Sequence, residues 1–508
     1  MPGRAADFHR VSHLYRLGVL PTEQPHPDTH QLSRWAAEDL PRAIAVLRRI
    51  DEQALDTMLR YAAHVDRLAR AIERTLDAGG RVFLCGCGAT GRLSLSVESL
   101  WNHGGGDPDR IRSFMAGGDV ALVHALEGFE DHPEYGARHL EEMGFGGHDL
   151  LVSCTEGGET PYVIGATLRA AELSSVPPFF LYCNPDAILA RHVERFRNVR
   201  EHPGIDPVCL DVGPMALAGS TRMQASTVLQ LAVGIALLHP ERRACESIAR
   251  HRDQVRDTDF SFLEEFVRTE AATYAAGHHV TYRVRDFGIT VLTDTTERAP
   301  TFSLVPFDQL EERRETHSLC YVALEDAPTP GEAWRRLLGR PPRALDWPDV
   351  DSRTGEGYLH GFDFSAEAAR RRRDQIPGRR HEELCIGRTS AGFSLEMAGR
   401  RHEVRAAHLP DLFQHLMLKQ MLNIQSTLVM GRLGRYEGNL MTWVAPTNGK
   451  LIDRAARYVI HLLSRAGRGE PSYEDVVDQL FAQMEDARPG EPLVLNACQA
   501  LLRRRAAS

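Results

Sequence analysis

A glycine-rich turn follows a short apolar run near residue 86. The apolar run is Val82-Phe83-Leu84-Cys85, and the residues after it read Gly86-Cys87-Gly88-Ala89-Thr90-Gly91-Arg92. Glycine lets a backbone approach an anion closely, and the start of a helix presents free N–H groups at the positive end of its dipole. The pattern therefore predicts a strand, a phosphate-binding loop and a helix. Thr90 adds a hydroxyl donor and Arg92 adds a fixed positive charge.

Two other interpretations of this turn are weaker. The spacing of Gly86, Gly88 and Gly91 also fits a dinucleotide-binding fingerprint. That fingerprint requires an acidic residue about 20 positions later, after a second strand, and none is convincingly placed here. A plain tight turn is the other alternative. We favour the phosphate-binding loop.

Composition excludes several classes of protein. The chain of 508 residues has room for about two to four domains. Its formal net charge of −9 argues against a nucleic-acid binder. The start, Met1-Pro2-Gly3-Arg4, has no apolar stretch, and no run of about 18 apolar residues predicts a membrane span. The nine cysteines lie mostly in apolar runs, which indicates reduced thiols in a cytoplasmic protein. Cys85 and Cys87 have no second pair, so no metal site is expected. No cofactor is expected either.

The order of apolar patterns predicts two α/β units. Residues 30–78 carry helical periodicity, and strands alternate with helices after them. The candidate strands are Val82–Gly86, Arg112–Ala116, Leu150–Cys154, Phe179–Cys183 and Val208–Leu210. A helix from Ser220 to Leu238, with Ser220 as its N-cap, closes this unit. A long helical segment, Glu241–Ala275, then begins a second one.

Several ordered blocks of the first unit resemble the sugar isomerase (SIS) domain family, and within it the N-acetylmuramate 6-phosphate etherases and the glucokinase regulatory protein. Besides the glycine turn, these blocks are Leu20–Pro27, Ala116–Asp119, Leu126–Asp131, Thr160–Val163, Cys183–Pro185 and Gly219–Met223. The resemblance implies a doubly wound parallel sheet, with the ligand at the carboxyl ends of its strands.

The second half of the chain repeats part of this pattern. Asp294–Phe302 resembles the etherase helix that follows the phosphate loop, but the loop itself is degraded to Arg283-Val284-Arg285-Asp286-Phe287-Gly288. Later blocks, Leu418–Asn423, Gly438–Met441 and Thr447–Leu451, resemble the end of the etherase. We therefore predict an α/β fold of two tandem SIS domains that pack as a pseudo-dimer. The expected boundaries are 1–78 for N-terminal helices, 79–239 and 240–410 for the two domains, and 411–508 for a helical cap.

The etherase resemblance implies a pair of catalytic glutamates. One is present as Glu127, whereas the position of the other in the first domain is Leu100. Glu98 is no substitute, because two residues along a helix correspond to a rotation of about 200°. Glu297 stands at the equivalent position of the second domain. We therefore predict a composite site in which Glu127 and Glu297 act together and the first domain holds the phosphate. The alternative for Glu297 is a cap or an ion pair on its own helix.

The resemblance also implies the residues that bind the sugar phosphate. These are Gly86, Gly88, Thr90, Gly91, Arg92, Gly157, Thr160, Asn184, Ser220, Thr221, Arg222 and Lys450. The second phosphate loop departs from the family, because Glu156 and Glu159 flank its glycines and a serine and an arginine are lost. Acids beside a phosphate repel it, so this change puts the substrate in doubt.

Three functions remain open on the sequence. The first is an etherase-type lyase that acts on N-acetylmuramic acid 6-phosphate or a related sugar phosphate. The second is a sensor of sugar phosphates that regulates a sugar kinase, and the third is a phosphosugar isomerase. The expected partner is a small sugar phosphate, with neither nucleic acid nor membrane, and the chain is either a monomer or a homodimer.

Overall fold

A computed structural model describes residues 5–312, 314–376, 378–486 and 491–507. Four helices precede the first sheet: α1 (Ala5–Val11), α2 (Leu32–Glu38), α3 (Leu40–Met58) and α4 (Ala62–Asp77). Short 3-10 turns connect them at Ser12–Leu14, Leu17–Val19, Pro21–Glu23, Pro27–Thr29 and Leu59–Tyr61. The apolar residues of α3 and α4 recur at helical spacing and are buried on one face. The predicted N-terminal helical segment is thus present.

The first sheet contains five parallel strands in the order β2-β1-β3-β4-β5. Its strands are β1 (Val82–Gly86), β2 (Ile111–Met115), β3 (Leu150–Cys154), β4 (Phe179–Tyr182) and β5 (Asp206–Cys209). Its helices are α5 (Ala89–His103), α6 (Pro133–Glu142), α7 (Pro161–Leu173), α8 (Asp186–His192), α9 (Glu194–Arg200) and α10 (Gln224–Leu238). Short 3-10 turns lie at Asp119–Leu122 and Glu127–Phe129. The fully buried runs of β1 and β3 are typical of parallel strands covered on both faces.

The start of α10 differs from the sequence prediction. The helix begins at Gln224 and Met223 is its N-cap residue, so Ser220 does not cap it. Residues 217–223 instead form tight turns, in which the N–H of Ser220 bonds the Leu217 carbonyl and the N–H of Met223 bonds the Ser220 carbonyl. These turns leave the Ser220 side chain available for another role.

The second unit contains a mixed sheet in the order β10-β9-β8-β6-β7. Its elements are α11 (Ala244–Asp257), α12 (Leu263–Ala275), β6 (His279–Val284), α13 (Gly288–Phe302), β7 (Cys320–Leu324), α14 (Pro330–Leu338), the 3-10 turn Ser352–Thr354, α15 (Glu356–Leu359), α16 (Ala366–Gln375), β8 (His381–Thr389), β9 (Gly392–Met397) and β10 (Arg400–Arg405). Strands β6, β7 and β8 are parallel, whereas β9 and β10 extend the sheet as antiparallel neighbours. The predicted helical segment Glu241–Ala275 is two helices, because residues 258–262 leave the helical conformation.

Four helices follow the second sheet: α17 (Asp411–Arg432), α18 (Gly449–Arg465), α19 (Tyr473–Asp486) and α20 (Leu493–Ala507). Residues 412–431 of α17 are all buried, and this helix packs against α2, α3, α10, α12 and α13. It therefore belongs to the core that joins the two units, while α18, α19 and α20 pack on one another at the end of the chain.

Buried ion pairs connect the two α/β units directly. Arg340, in the loop after α14, donates through Nη1 to Asp119 at 2.6 Å and through Nε to Glu98 at 3.0 Å. Glu98 also accepts a bond from Ser113, so its carboxylate is held by β2 and by Arg340. The two-domain α/β prediction is confirmed by the fold, and the exact domain boundaries stay a prediction. Among the described residues, no helix combines the length and apolar character needed to cross a bilayer.

Candidate active site between the two α/β units

The glycine loop between β1 and α5 has the geometry of an anion cradle. Gly88 precedes α5 with φ 55° and ψ −121°, and no side chain caps the helix. A Cβ at Gly86 would lie 2.2 Å from the Thr90 carbonyl carbon, and one at Gly91 would lie 2.5 Å from the Cβ of Met115. The three glycines therefore allow the tight turn and place the first N–H groups of α5 at a cavity.

Thr90 closes this loop on itself. Its hydroxyl accepts a bond from the N–H of Cys87 and donates to the Cys87 carbonyl, each at 2.9 Å. The residue is buried and does not line the cavity. Thr90 thus holds the loop in shape, which differs from the direct phosphate contact that the sequence predicted.

The cavity at the glycine loop has a volume of about 140 Å³ and is composite. The first unit contributes Gly88, Ala89 and Arg92, together with Ala125, Glu130 and the turn 219–222. The second unit contributes Glu297, Pro300 and Thr301 of α13. The C-terminal part contributes Met441, Val444, Asn448, Lys450, Leu451 and Arg454. Seven of the predicted site residues therefore meet in one place: Gly88, Arg92, Ser220, Thr221, Arg222, Glu297 and Lys450.

Glu297 reaches the cavity from the second unit, as predicted. It is buried, and burial raises the pKa of its carboxyl, while Arg92, Arg222 and Lys419 oppose this effect. Among the described residues no side chain or backbone N–H donates to its carboxylate. A carboxylate that is buried, flanked by cations and open to a cavity is suited to proton transfer.

Two arginines flank Glu297 on the cavity wall. Arg92 lies with Nε 3.4 Å from the Thr296 hydroxyl and donates through Nη2 to the Ala121 carbonyl at 3.0 Å. Arg222 forms an ion pair with Asp294 at 3.0 Å and donates to Ser426 and Thr427 at 3.2 Å each. The terminal nitrogens of Arg222 are thus held by the second unit and by α17, and this arginine acts on the site chiefly through its charge.

The turn before α10 presents an unused hydroxyl. Ser220 is 4% exposed, and its Oγ has no hydrogen-bond partner among the described residues. Both Ser220 and Thr221 line the cavity. Buried hydroxyls are ordinarily bonded, so the unpaired Ser220 Oγ indicates a ligand atom at this position.

A layer of charged residues closes the far side of the cavity. The Lys450 ammonium forms an ion pair with Glu130 and lies 3.7 Å from Glu159. Asn448 donates to the other oxygen of Glu130 at 3.2 Å. Arg454 is bonded to Glu23 at 2.6 Å, and this contact, with Arg457, lowers the pKa of the Glu23 carboxyl to about 2.

Sequence reasoning missed Glu130, Asn448 and Arg454. Glu130 and Asn448 stand inside the quoted blocks, but a match of blocks does not show which of their side chains face a cavity. Arg454 is one turn beyond Lys450 on α18, so the same-face spacing of a helix was the signal that could have found it.

The remaining predicted residues lie behind the cavity wall or outside the described side chains. Thr160 shares a bond of 2.9 Å with Thr155, and Asn184 bonds the Thr22 N–H, the Thr22 hydroxyl and the Gly157 carbonyl at 2.9–3.1 Å. These residues hold the second loop against the N-terminal segment. Glu127 lies in the turn Glu127–Phe129, but its side chain is outside the part of the molecule that the structure describes.

The two acids of the second loop have different surroundings. Glu159 pairs with Arg195 at 2.5 Å, and Lys450 with Arg195 keeps the pKa of its carboxyl low although the group is buried. Glu156 is buried without such a bonded cation, and burial raises the pKa of its carboxyl to about 7. The predicted repulsion of a phosphate is therefore weakened at Glu159 by pairing and at Glu156 by protonation.

Comparison with known proteins places this arrangement in a family. A family model described as the glucokinase regulatory protein N-terminal SIS domain matches residues 63–171. The N-acetylmuramic acid 6-phosphate etherase of Gloeobacter violaceus is 36% identical over 220 residues, which cover 42% of this chain and 66% of that protein. N-acetylmuramic acid 6-phosphate etherase 2 of Vibrio cholerae is 31% identical over 256 residues, which cover 50% of this chain and 78% of that protein.

The chain belongs to the N-acetylmuramic acid 6-phosphate etherase family.

Membership in the etherase family confirms the resemblance drawn from the sequence blocks. The matches span about two thirds to three quarters of these two etherases and no more than half of this chain. Among solved structures, the C-terminal domain of glucosamine-fructose-6-phosphate aminotransferase from Francisella tularensis aligns with a TM-score of 0.38 at 11% identity, over 78% of this chain and 96% of that one.

Proposed function

We propose that this chain is a phosphosugar lyase of the etherase type. In this proposal it cleaves the lactyl ether of N-acetylmuramic acid 6-phosphate or a related sugar phosphate, and it yields N-acetylglucosamine 6-phosphate and lactate. The observation that carries the proposal is one cavity in which the glycine loop of the first unit faces the buried Glu297 of the second. The etherase family membership supports it.

The phosphate is bound at the glycine loop and at the turn before α10. The N–H groups at the start of α5 and the charge of Arg92 attract the anion, and Ser220 and Thr221 supply hydroxyl donors from the turn before α10. A phosphate fixed at one end of the cavity holds the sugar in a constant position relative to Glu297. Such positioning is a large part of the catalytic effect in reactions of this kind.

Glu127 and Glu297 form the acid–base pair. The turn that carries Glu127 lies between Ala125 and Glu130, and both of these residues line the cavity. Glu130 is committed to Lys450 and Asn448, and Glu127 is the other glutamate of this segment. Family resemblance assigns the same role to the residue.

The reaction requires three proton movements. One carboxylate removes the proton from the carbon next to the aldehyde of the opened sugar. The other, protonated, gives its proton to the ether oxygen as the carbon–oxygen bond breaks and lactate leaves. Water then adds to the unsaturated sugar phosphate, its hydroxyl going to the carbon that lost lactate and a proton returning to the neighbouring carbon.

The test is incubation of the protein with N-acetylmuramic acid 6-phosphate and measurement of released lactate. The unphosphorylated sugar is the control, because the cradle is expected to bind the phosphate. Lactate release that depends on the phosphate agrees with the proposal. Absence of lactate from the phosphorylated sugar contradicts it.

A regulator of a sugar kinase is the second candidate function. The match of residues 63–171 to the glucokinase regulatory protein domain favours it, as does the presence of Leu100 where the family glutamate is expected. This alternative predicts that a sugar 6-phosphate binds without turnover and changes the inhibition of a sugar kinase. A binding titration combined with the lactate assay separates the two functions.

The cellular setting follows from the thiols. All nine cysteines are free, and five of them are buried. Since disulfides are typical of oxidising compartments and rare in the cytosol, we propose that the protein works in the cytoplasm.

A further inference from the structure

A second cavity, of about 250 Å³, adjoins the candidate active site between the two units. It shares Ala125 and Pro300 with the active-site cavity, and none of its described lining residues belongs to the glycine loop. We name it the vestibule. Its apolar wall is formed by Val123, Ala125, Ala299, Leu304, Pro306 and Ala445.

The vestibule differs from the active site in charge. Its polar side chains already have partners: Ser303 donates to the Trp443 carbonyl, Thr296 donates to the Leu292 carbonyl at 2.8 Å, and the His124 ring bonds the Tyr358 hydroxyl at 2.7 Å. Burial, with Arg353 and Arg314, lowers the pKa of His124, so its ring is neutral at pH 7. Among the described residues the wall therefore carries no formal charge, and it suits an uncharged part of a ligand.

One residue of the vestibule wall, Pro300, interrupts the hydrogen bonding of its own helix. Pro300 lies inside α13 and has no N–H, so the regular bond from position 300 to the Thr296 carbonyl cannot form. Thr296 and Pro300 both line the vestibule. The Thr296 carbonyl thus lacks its regular donor, and the N–H of a ligand amide can take that place.

We infer that the vestibule is a subsite for an amide-linked, mainly apolar extension of the bound sugar phosphate. The inference rests on the proposed function and deepens it. The phosphate at the glycine loop and the ether beside Glu297 occupy the charged cavity, and the extension passes between Ala125 and Pro300. The reaction itself is unchanged: the ether bond breaks, its oxygen takes a proton, and an extension on the lactyl carboxyl leaves with the lactyl group.

Two positions on the sugar can carry such an extension. One is the lactyl carboxyl, joined to an amino acid; the other is the amino group, carrying an acyl chain longer than acetyl.

The first test therefore compares kcat/KM of the native protein for three substrates: N-acetylmuramic acid 6-phosphate, its lactyl alanine amide, and the N-hexanoyl analogue. In an apolar pocket, one methylene group more or less on the substrate changes kcat/KM by about 10- to 200-fold.

The expected result is that at least one extended substrate has a kcat/KM equal to or above that of the parent. The extended substrate that does so identifies the position of the extension. A loss of about 100-fold or more for both extended substrates overturns the inference while leaving the proposed function intact. Absence of turnover of all three substrates overturns the proposed function, and the inference with it.

A blocking variant checks the location. Ala445→Phe places a ring in the vestibule at a residue that does not line the active-site cavity, and Ala407→Phe makes the same change at an exposed position. Ala445→Phe is expected to lower kcat/KM for the accepted extended substrate by about 10-fold or more and for the parent by less than about 2-fold. Equal losses for both substrates contradict the inference, and Ala407→Phe is expected to change neither.

Discussion

At the scale of single residues, the cavity contains two groups whose bonding is incomplete. Many buried charges elsewhere in the described residues are paired, as Arg298 is with Glu270 at 2.8 Å and Asp294 at 2.7 Å. In the cavity, and among the described residues, the Glu297 carboxylate accepts no hydrogen bond and the Ser220 hydroxyl has no partner. Because an unpaired buried polar group is unfavourable, these two residues indicate where a ligand completes the bonding.

Ser220→Ala separates this role from a structural one. The substitution removes a hydroxyl without a protein partner, so thermal unfolding of the ligand-free protein is expected to stay the same or shift slightly upward. The affinity for a sugar 6-phosphate, measured by calorimetry, is expected to fall about 3- to 10-fold, since one hydrogen bond is lost.

Ser464→Ala, on the exposed face of α18, is the matched control and is expected to change neither quantity. A Ser220→Ala protein that binds the sugar phosphate with native affinity would place the phosphate elsewhere. A large drop in its melting temperature would make Ser220 structural.

At the scale of elements, local patterns predicted the glycine loop well. A strand, turn and helix contiguous in sequence fix the cradle, so Val82–Gly86 and α5 followed from apolar periodicity and glycine spacing.

The β9–β10 hairpin was missed although Phe393, Leu395 and Met397 alternate with more exposed residues and Ala398-Gly399 forms the turn at positive φ. Period-two alternation was the available signal there.

Elements that depend on distant partners could not be predicted from the sequence. The turns at 217–223 replace the expected first turn of α10, and one of their N–H groups, that of Gly219, bonds the Thr22 carbonyl. The contact of Glu23 with Arg454 joins positions far apart in the chain. The sequence provided candidates for the carboxylates and the phosphate-binding residues, but not which of these candidates the fold would bring to the cavity.

The segment Pro21–Glu23 is held on the site by Glu23. The pKa of the Glu23 carboxyl is lowered from 4.5 to about 2 in the folded protein. The carboxylate therefore stabilises the fold fully above pH 4.5. That contribution is lost as the pH falls toward 2, because the group takes up a proton. Glu23→Gln leaves Arg454 and Arg457 buried without their charge partner and is expected to lower the free energy of unfolding by about 3–5 kcal/mol at pH 7.

Urea unfolding from pH 7 to pH 3.5 tests this prediction. The difference between the native protein and Glu23→Gln is expected to narrow once the pH falls below about 4.5. Glu332→Gln, at an exposed helix position, serves as control. A difference that stays constant across the range would mean that the charge of Glu23 does not act on this segment.

At the scale of the whole molecule, one chain builds one complete cavity. Residues of both α/β units and of the C-terminal helices line it, and buried pairs such as Arg340 with Glu98 and Asp119 hold the units together. The degraded loop Arg283–Gly288 is the reason that the second unit contributes a carboxylate and not a second glycine cradle. We therefore expect that a second copy of the chain is not needed to complete the site.

Lactate production per chain is accordingly expected to be constant on dilution. We expect the same specific activity from about 10 μM to about 10 nM protein, a range over which weak dimers dissociate. Size-exclusion chromatography with light scattering over the accessible part of that range gives the oligomeric state. Activity that falls in step with loss of a dimer would show that the site needs a partner subunit.

The most direct test of the composite site is the ratio of turnover to binding in Glu297→Gln. If Glu297 transfers a proton while the first unit holds the phosphate, lactate release from N-acetylmuramic acid 6-phosphate is expected to fall about 10²- to 10⁴-fold. The dissociation constant of N-acetylglucosamine 6-phosphate, measured by calorimetry on the same protein, is expected to stay within about 3-fold of the native value. A Glu297→Gln protein with native turnover, or one that loses binding and turnover in parallel, would contradict the division of roles between the two units.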